Sequence, residues 1–82
     1  MKWKIDINMN KKEILKEFGK ILGAERNRAG LSQDELAAQA GICAGKHIGK
    51  IERGEANPSL YTVISIMNTL NISFDKLFST KI

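Results

Sequence analysis

The segment Leu31–Leu60, LSQDELAAQAGICAGKHIGKIERGEANPSL, decides the fold of this chain. It contains two short helical patterns with a glycine between them. Ser32 opens the first pattern, and Glu35 follows three residues later, which is the spacing of a reciprocal N-terminal capping box. Gly41 ends this pattern because glycine readily adopts the left-handed conformation that closes a helix. The segment therefore predicts two consecutive short helices joined by a tight turn.

The apolar residues of the segment predict how the two helices pack. Ala37 is small enough for two helix backbones to approach each other, and Gly41 supplies a positive φ four residues later. Ile48 and Ile51 are three residues apart, so they lie on one side of the second helix and leave its other side open. This arrangement is typical of a helix-turn-helix, whose second helix usually enters the major groove of DNA.

Helical patterns also flank the segment. A helix is predicted from Lys11 or Lys12 to Gly30, with Asn10 and Glu13 as its capping pair. Its expected apolar positions are Ile14, Leu15, Phe18, Ile21, Leu22 and Ala29. Pro58 and Ser59 precede a further helix, whose expected buried stripe is Leu60, Val63, Ile64, Met67 and Leu70. Ser73 begins a last short helix, with Phe74, Leu77 and Phe78 as its apolar residues.

The first ten residues alternate between apolar and polar, which is the periodicity of a strand. Trp3, Ile5, Ile7 and Met9 share one face. A single strand cannot satisfy its own backbone groups. Residues 1–10 are therefore either a mobile arm with an apolar side or a strand that pairs with its copy in a homodimer.

Composition limits the class of protein. A chain of 82 residues with 43% hydrophobic residues has enough apolar side chains for one folded domain. Its net charge of +4 favours nucleic acid or acidic surfaces. The single cysteine, Cys43, fits a cytoplasmic protein, and no membrane span or signal peptide is apparent. The sequence contains no nucleophile–base pair, metal-ligand spacing or phosphate loop, so we expect no enzyme activity, catalytic residue, metal or cofactor.

The stretch from Phe18 to Phe78 resembles the lambda-repressor/Cro-type helix-turn-helix family of transcriptional regulators. The strings that carry the resemblance are AGLSQDELAAQAGI, IGKIERGEANPSL and LNISFDKLF. The resemblance implies an all-α fold of five helices, with residues 1–10 as an N-terminal arm, residues 11–79 as the domain and residues 32–53 as the motif. It also implies double-stranded DNA with a pseudo-palindromic operator as the partner, bound by a homodimer.

Several roles follow from this resemblance by position. Gln33 opens the first helix of the motif and is expected to contact a phosphate or an adjacent base. Arg26 and Glu52 match a structural salt bridge between the first and third helices. The further expected DNA contacts from the family positions are Arg53, Asn57 and, more weakly, Arg28.

The second helix of the motif departs from the family pattern. Six residues separate Gly41 from Ile48, one more than is typical of the family. Aligned on the buried isoleucines, the residues that face the groove are Gly45, Lys46, Gly49 and Lys50. Lys46 and Lys50 either read bases or supply a basic face. The two glycines either allow close approach to DNA or mark a helix that orders on binding, and His47 takes a packing or phosphate role.

These observations together predict a sequence-specific DNA-binding transcriptional regulator, either a repressor or a controller-type protein. The alternative is an antitoxin-like module that uses the same fold to bind a protein partner. The apolar side of residues 1–10 and the two glycines of the third helix leave this alternative open.

Overall fold

The computed structural model describes residues 5, 8–42 and 44–76. These residues form an all-helical domain with four α-helices and one 3-10 helix. The helices are α1 (Lys11–Arg28), α2 (Gln33–Ala40), α3 (Gly45–Glu52), α4 (Leu60–Leu70) and the 3-10 helix Phe74–Lys76. The all-α prediction is confirmed, and α2 and α3 form the predicted helix-turn-helix.

The helix starts follow from local hydrogen bonds that the sequence predicted. The Asn10 side chain accepts from the Glu13 amide at 2.9 Å, and the Glu13 carboxylate accepts from the Asn10 amide at 3.0 Å. Ser32 and Glu35 form the same reciprocal capping box at 3.0 and 2.8 Å. These bonds satisfy amides that a helix start otherwise leaves without an intrahelical acceptor.

Two predictions about the ends of the chain are wrong. The fifth α-helix is a single 3-10 turn in the described residues, and Phe74 in that turn is 51% exposed. Leu77 and Phe78 lie outside the described residues. The N-terminal strand is not supported either, because the described part of the chain contains no strand and residues 1–4, 6 and 7 lie outside it. Ile5 instead joins the helical core.

The core lies between the inner sides of the four α-helices. The largest fully buried side chains are Ile21, Leu22, Leu36, Ile48, Ile51 and Ile66. Two of them come from α3, so this short helix is held by apolar packing rather than by its own helix propensity. Ala37 is 2% exposed, as expected for a small residue between crossing helices.

The buried side of α4 differs from the prediction. Ile66 and Met67 are buried, and Val63 and Leu70 pack partly against the core. Leu60 and Ile64 are 70% and 40% exposed. The buried set has the spacing of one helical stripe, whereas the two exposed residues lie on a second apolar side of α4. A helix with two apolar sides does not reveal from its sequence which of them meets the core. Ala29 is likewise exposed, because α1 ends at the residue before it.

Gly19 sets the distance between α1 and α3, although no motif in the sequence singles it out. A Cβ atom at Gly19 would lie 2.8 Å from the carbonyl carbon of Glu52 and against the carbonyl oxygen of Ile51. These are backbone atoms, so a side chain at this position would push the two helices apart. The close approach holds the end of α3 against the middle of α1.

Candidate nucleic-acid interface

The two sides of α3 have different chemistry. Ile48 and Ile51 are 0% and 1% exposed on the inner side. Lys46 and Lys50 are exposed, and their spacing of four residues places them on the same side of the helix. The basic side of α3 is therefore available to a ligand, whereas the apolar side is used for folding.

The glycines of α3 do not share the lysines' exposure. We expected Gly45 and Gly49 to face outward beside Lys46 and Lys50, but both glycines are buried. A Cβ atom at Gly45 would lie 2.8 Å from the backbone nitrogen and 2.9 Å from the Cα of Asp34. The start of α3 thus packs directly against the start of α2, which explains Gly45 by helix packing.

An ion pair joins α1 to the end of α3. Arg26 Nε donates to Glu52 Oε2 at 2.6 Å, and Arg26 Nη2 donates to Glu52 Oε1 at 3.1 Å. Arg26 Nη1 also donates to the carbonyl oxygen of Leu31 at 2.8 Å. The hydrogen bonds that Arg26 donates to the Glu52 carboxylate raise the pKa of Arg26, and the charge of Glu52 adds to this effect. The two side chains are only 14% and 13% exposed. The pair therefore joins α1, the loop residue Leu31 and the end of α3.

Gln33 belongs to the same network. Its amide nitrogen donates to Glu52 Oε1 at 3.2 Å, and its side chain is half-buried. The family resemblance implied a DNA contact for Gln33 and no contact with Glu52. The family pattern that pairs Arg26 with Glu52 contains no signal for this third member. Only the packing of α2 against α3 brings the amide to the carboxylate.

The remaining predicted contact residues lie on exposed parts of the chain. Arg53 Nε donates to Glu55 Oε2 at 3.1 Å. This hydrogen bond raises the pKa of Arg53 and lowers the pKa of Glu55. Arg28 is exposed in the last turn of α1, with its Nη2 atom 3.8 Å from Glu25. Asn57 is exposed in the loop before α4.

His47 lies at the junction of the helix-turn-helix turn and α4. Its half-buried side chain lines a pocket with Gly41, Ile42, Ala44, Tyr61 and Thr62. This position agrees with a packing role. Cys43 lies outside the described residues.

The described residues offer neither a metal site nor a membrane span. They contain no group of three His, Cys, Asp or Glu side chains that is placed to hold a metal ion. None of the helices among them is both long and apolar enough to cross a membrane.

The fold and this surface define a helix-turn-helix protein, and comparison with known proteins identifies the family. The helix-turn-helix family model HTH_3 matches residues 22–77. The control protein C.SmaI of Serratia marcescens is 39% identical over 71 residues, which cover 87% of this chain and 80% of that protein. The chain belongs to the HTH_3 helix-turn-helix family of DNA-binding transcriptional regulators, which are not enzymes.

Solved structures give the same result. The restriction-modification controller protein C.AhdI from Aeromonas hydrophila is 35% identical, with a TM-score of 0.71 over 80% of this chain and 97% of that chain. An HTH_3 family transcriptional regulator from Vibrio cholerae is 31% identical, with a TM-score of 0.72 over 79% of this chain. The match spans 36% of that longer chain. The small controller protein is therefore matched over nearly its whole length.

Proposed function

We propose that this protein is a controller-type transcriptional regulator that binds a pseudo-palindromic operator as a homodimer, with α3 in the major groove. The observation that carries the proposal is the exposed pair Lys46 and Lys50 on one side of a helix whose other side is buried. A helix held in this way presents cationic donors in a defined position. The likeness to C.SmaI and C.AhdI over most of each chain favours a controller over other small members of the family.

The proposed contacts divide into two groups. Lys46 and Lys50 lie nearest the base edges, and a lysine donates well to O6 and N7 of guanine. Arg53, Asn57 and Arg28 contact phosphates, which positions the protein without reading sequence. Since Gly45 and Gly49 are buried against α2, neither belongs to the first group as a direct contact. The half-buried His47 packs at the turn.

The second apolar side of α4 supports the homodimer. The large exposed apolar residues of the described chain are Leu60, Tyr61, Ile64 and Phe74. Three of them lie on α4, and such a cluster on a small protein is typical of a protein–protein contact. Two copies joined there would present two α3 helices to half-sites about 34 Å apart.

A bacterial regulator of this kind works in the cytoplasm, where the chromosome is.

Selection of binding sites from random DNA duplexes tests the proposal. We expect enrichment of an inverted repeat, and light scattering on the enriched duplex should give two protein chains per duplex. Ile64→Glu should lower the fraction of dimer, because it places a charge in the apolar contact. Lys20→Glu, at an exposed position of α1, should leave the fraction of dimer unchanged. Failure to enrich any sequence would reject sequence-specific binding. One chain per duplex would reject the homodimer and favour the antitoxin-like alternative with a protein partner.

A further inference from the structure

The space beside Gly49 is occupied by side chains from two other positions. A Cβ atom at Gly49 would lie 3.2 Å from Nη1 of Arg53 and 3.2 Å from Oε1 of Gln33. Gln33 is the first residue of α2, and Arg53 is the C-terminal cap of α3. The tips of these two long side chains therefore both reach the space that α3 leaves open at Gly49.

The orientation of the Gln33 amide is set by its neighbour. Glu52 Oε1 can only accept a hydrogen bond, so the amide must turn its nitrogen towards this oxygen, at 3.2 Å. Glu52 is itself held by Arg26 through bonds of 2.6 and 3.1 Å. The amide oxygen of Gln33 consequently points away from Glu52, and among the described residues it accepts no hydrogen bond.

The guanidinium of Arg53 supplies donors next to this acceptor. Its Nε atom is engaged with Glu55, and the side chain as a whole remains 58% exposed. The terminal nitrogens, including the Nη1 atom beside Gly49, keep donor capacity for a ligand. The surface over Gly49 thus combines an acceptor with adjacent cationic donors.

This combination is complementary to one base pair. In the major groove a G·C pair presents the acceptors N7 and O6 of guanine beside the N4 amine of cytosine. We infer that Gln33 and Arg53 together read a G·C base pair, with Gly49 as the specificity-determining gap that leaves room for both side chains beside α3. Arg53 donates to guanine, and the Gln33 oxygen accepts from cytosine. The inference rests on the proposed placement of α3 in the major groove, and it moves Arg53 from a phosphate to a base contact.

Gly49→Ala tests the inference because it should change base recognition without destabilising the fold. The new methyl group meets only the ends of two flexible side chains, and alanine is a better helix former than glycine. The melting temperature should therefore equal or exceed that of the original protein. The displaced amide and guanidinium should lose the G·C preference, with affinity for the selected duplex falling roughly 5- to 150-fold. Affinity for random-sequence duplex should stay unchanged.

Gln33→Ala is the second variant, and it cannot clash with any neighbour. It should lose preference at the same base pair as Gly49→Ala, and the double variant should lose no more than either alone. Gln39→Ala, at an exposed glutamine of the same helix, is the matched control and should leave the selected sequence unchanged. An unchanged preference in Gly49→Ala, or losses at different base pairs in the two variants, would overturn the inference. Failure of the unaltered protein to select any duplex would instead reject the proposed function.

Discussion

The inner side of α3 is apolar and buried, whereas its outer side is basic and exposed to solvent. On the inner side, Ile48 and Ile51 are fully buried and Glu52 is tied to α1. On the outer side, Lys46 and Lys50 extend into solvent with no ion pair to another described residue. The inner side determines where the helix lies, and the outer side determines what it attracts. Substitutions on one side should therefore change stability, and those on the other should change binding.

The largest effect is expected for Ile48→Ala on the inner side. Truncating this fully buried side chain removes apolar contacts and leaves a cavity, so the free energy of unfolding should fall by about 2–5 kcal/mol. Urea denaturation followed by circular dichroism measures this change. Lys46→Ala, two residues earlier on the outer side, is the matched control and should stay within about 0.5 kcal/mol of the original protein. Equal losses in the two variants would contradict the division of α3 into two sides.

Glu52→Ala should lower stability by less than Ile48→Ala, but it should also affect DNA recognition on the outer side of α3. It leaves the half-buried Arg26 guanidinium unpaired and frees the Gln33 amide, so unfolding should become easier by about 1.5–3 kcal/mol. DNA selectivity should fall as well, because Gln33 loses its fixed orientation. Thermal melting and duplex binding together measure both effects.

The control for this variant is Glu55→Ala, which removes a carboxylate from an exposed pair with Arg53. Exposed ion pairs contribute little to stability, so the melting temperature should not change measurably. A Glu52→Ala protein as stable as this control would show that the network does not hold α3 in place.

The smallest change in free energy is expected for Lys50→Ala, and it should appear only in binding. Loss of a base contact should weaken binding to the selected duplex by about 1–3 kcal/mol and leave the melting temperature unchanged. Fluorescence anisotropy on selected and random duplexes measures the difference. An equal loss on both duplexes would assign Lys50 to a phosphate, and the outer side would then attract DNA at this position without reading it.

Local features of the fold were predictable because they depend on few neighbouring residues. The capping boxes at Asn10 and Ser32 act over three residues, and the left-handed turn at Gly41 has a φ of 73°. Asn71 closes α4 with a φ of 57°, as a C-terminal asparagine can. The inward positions of Ile48 and Ile51 followed from helical periodicity alone. The Arg26–Glu52 pair came from family resemblance rather than from the residues themselves.

Other features depended on which elements meet. The second apolar side of α4 has the same helical spacing as the first, so periodicity did not distinguish exposed Leu60 from buried Ile66. The described residues form a 3-10 turn at Phe74 where an α-helix was expected. The network around Glu52 combines residues from α1, α2 and α3, and no sequence spacing links all three.

The sequence by itself determined the four α-helices, the capping boxes of α1 and α2, the turn and the family, because short-range hydrogen bonding and apolar periodicity are recorded in adjacent residues. Tertiary structure alone decided which neighbours each glycine packs against. Gly19, Gly45 and Gly49 are alike in sequence, but they meet the backbone of α3, the backbone of α2 and two flexible side chains, respectively. The cost of adding a methyl group depends on what it would touch, and that neighbour is distant along the chain in each of the three cases.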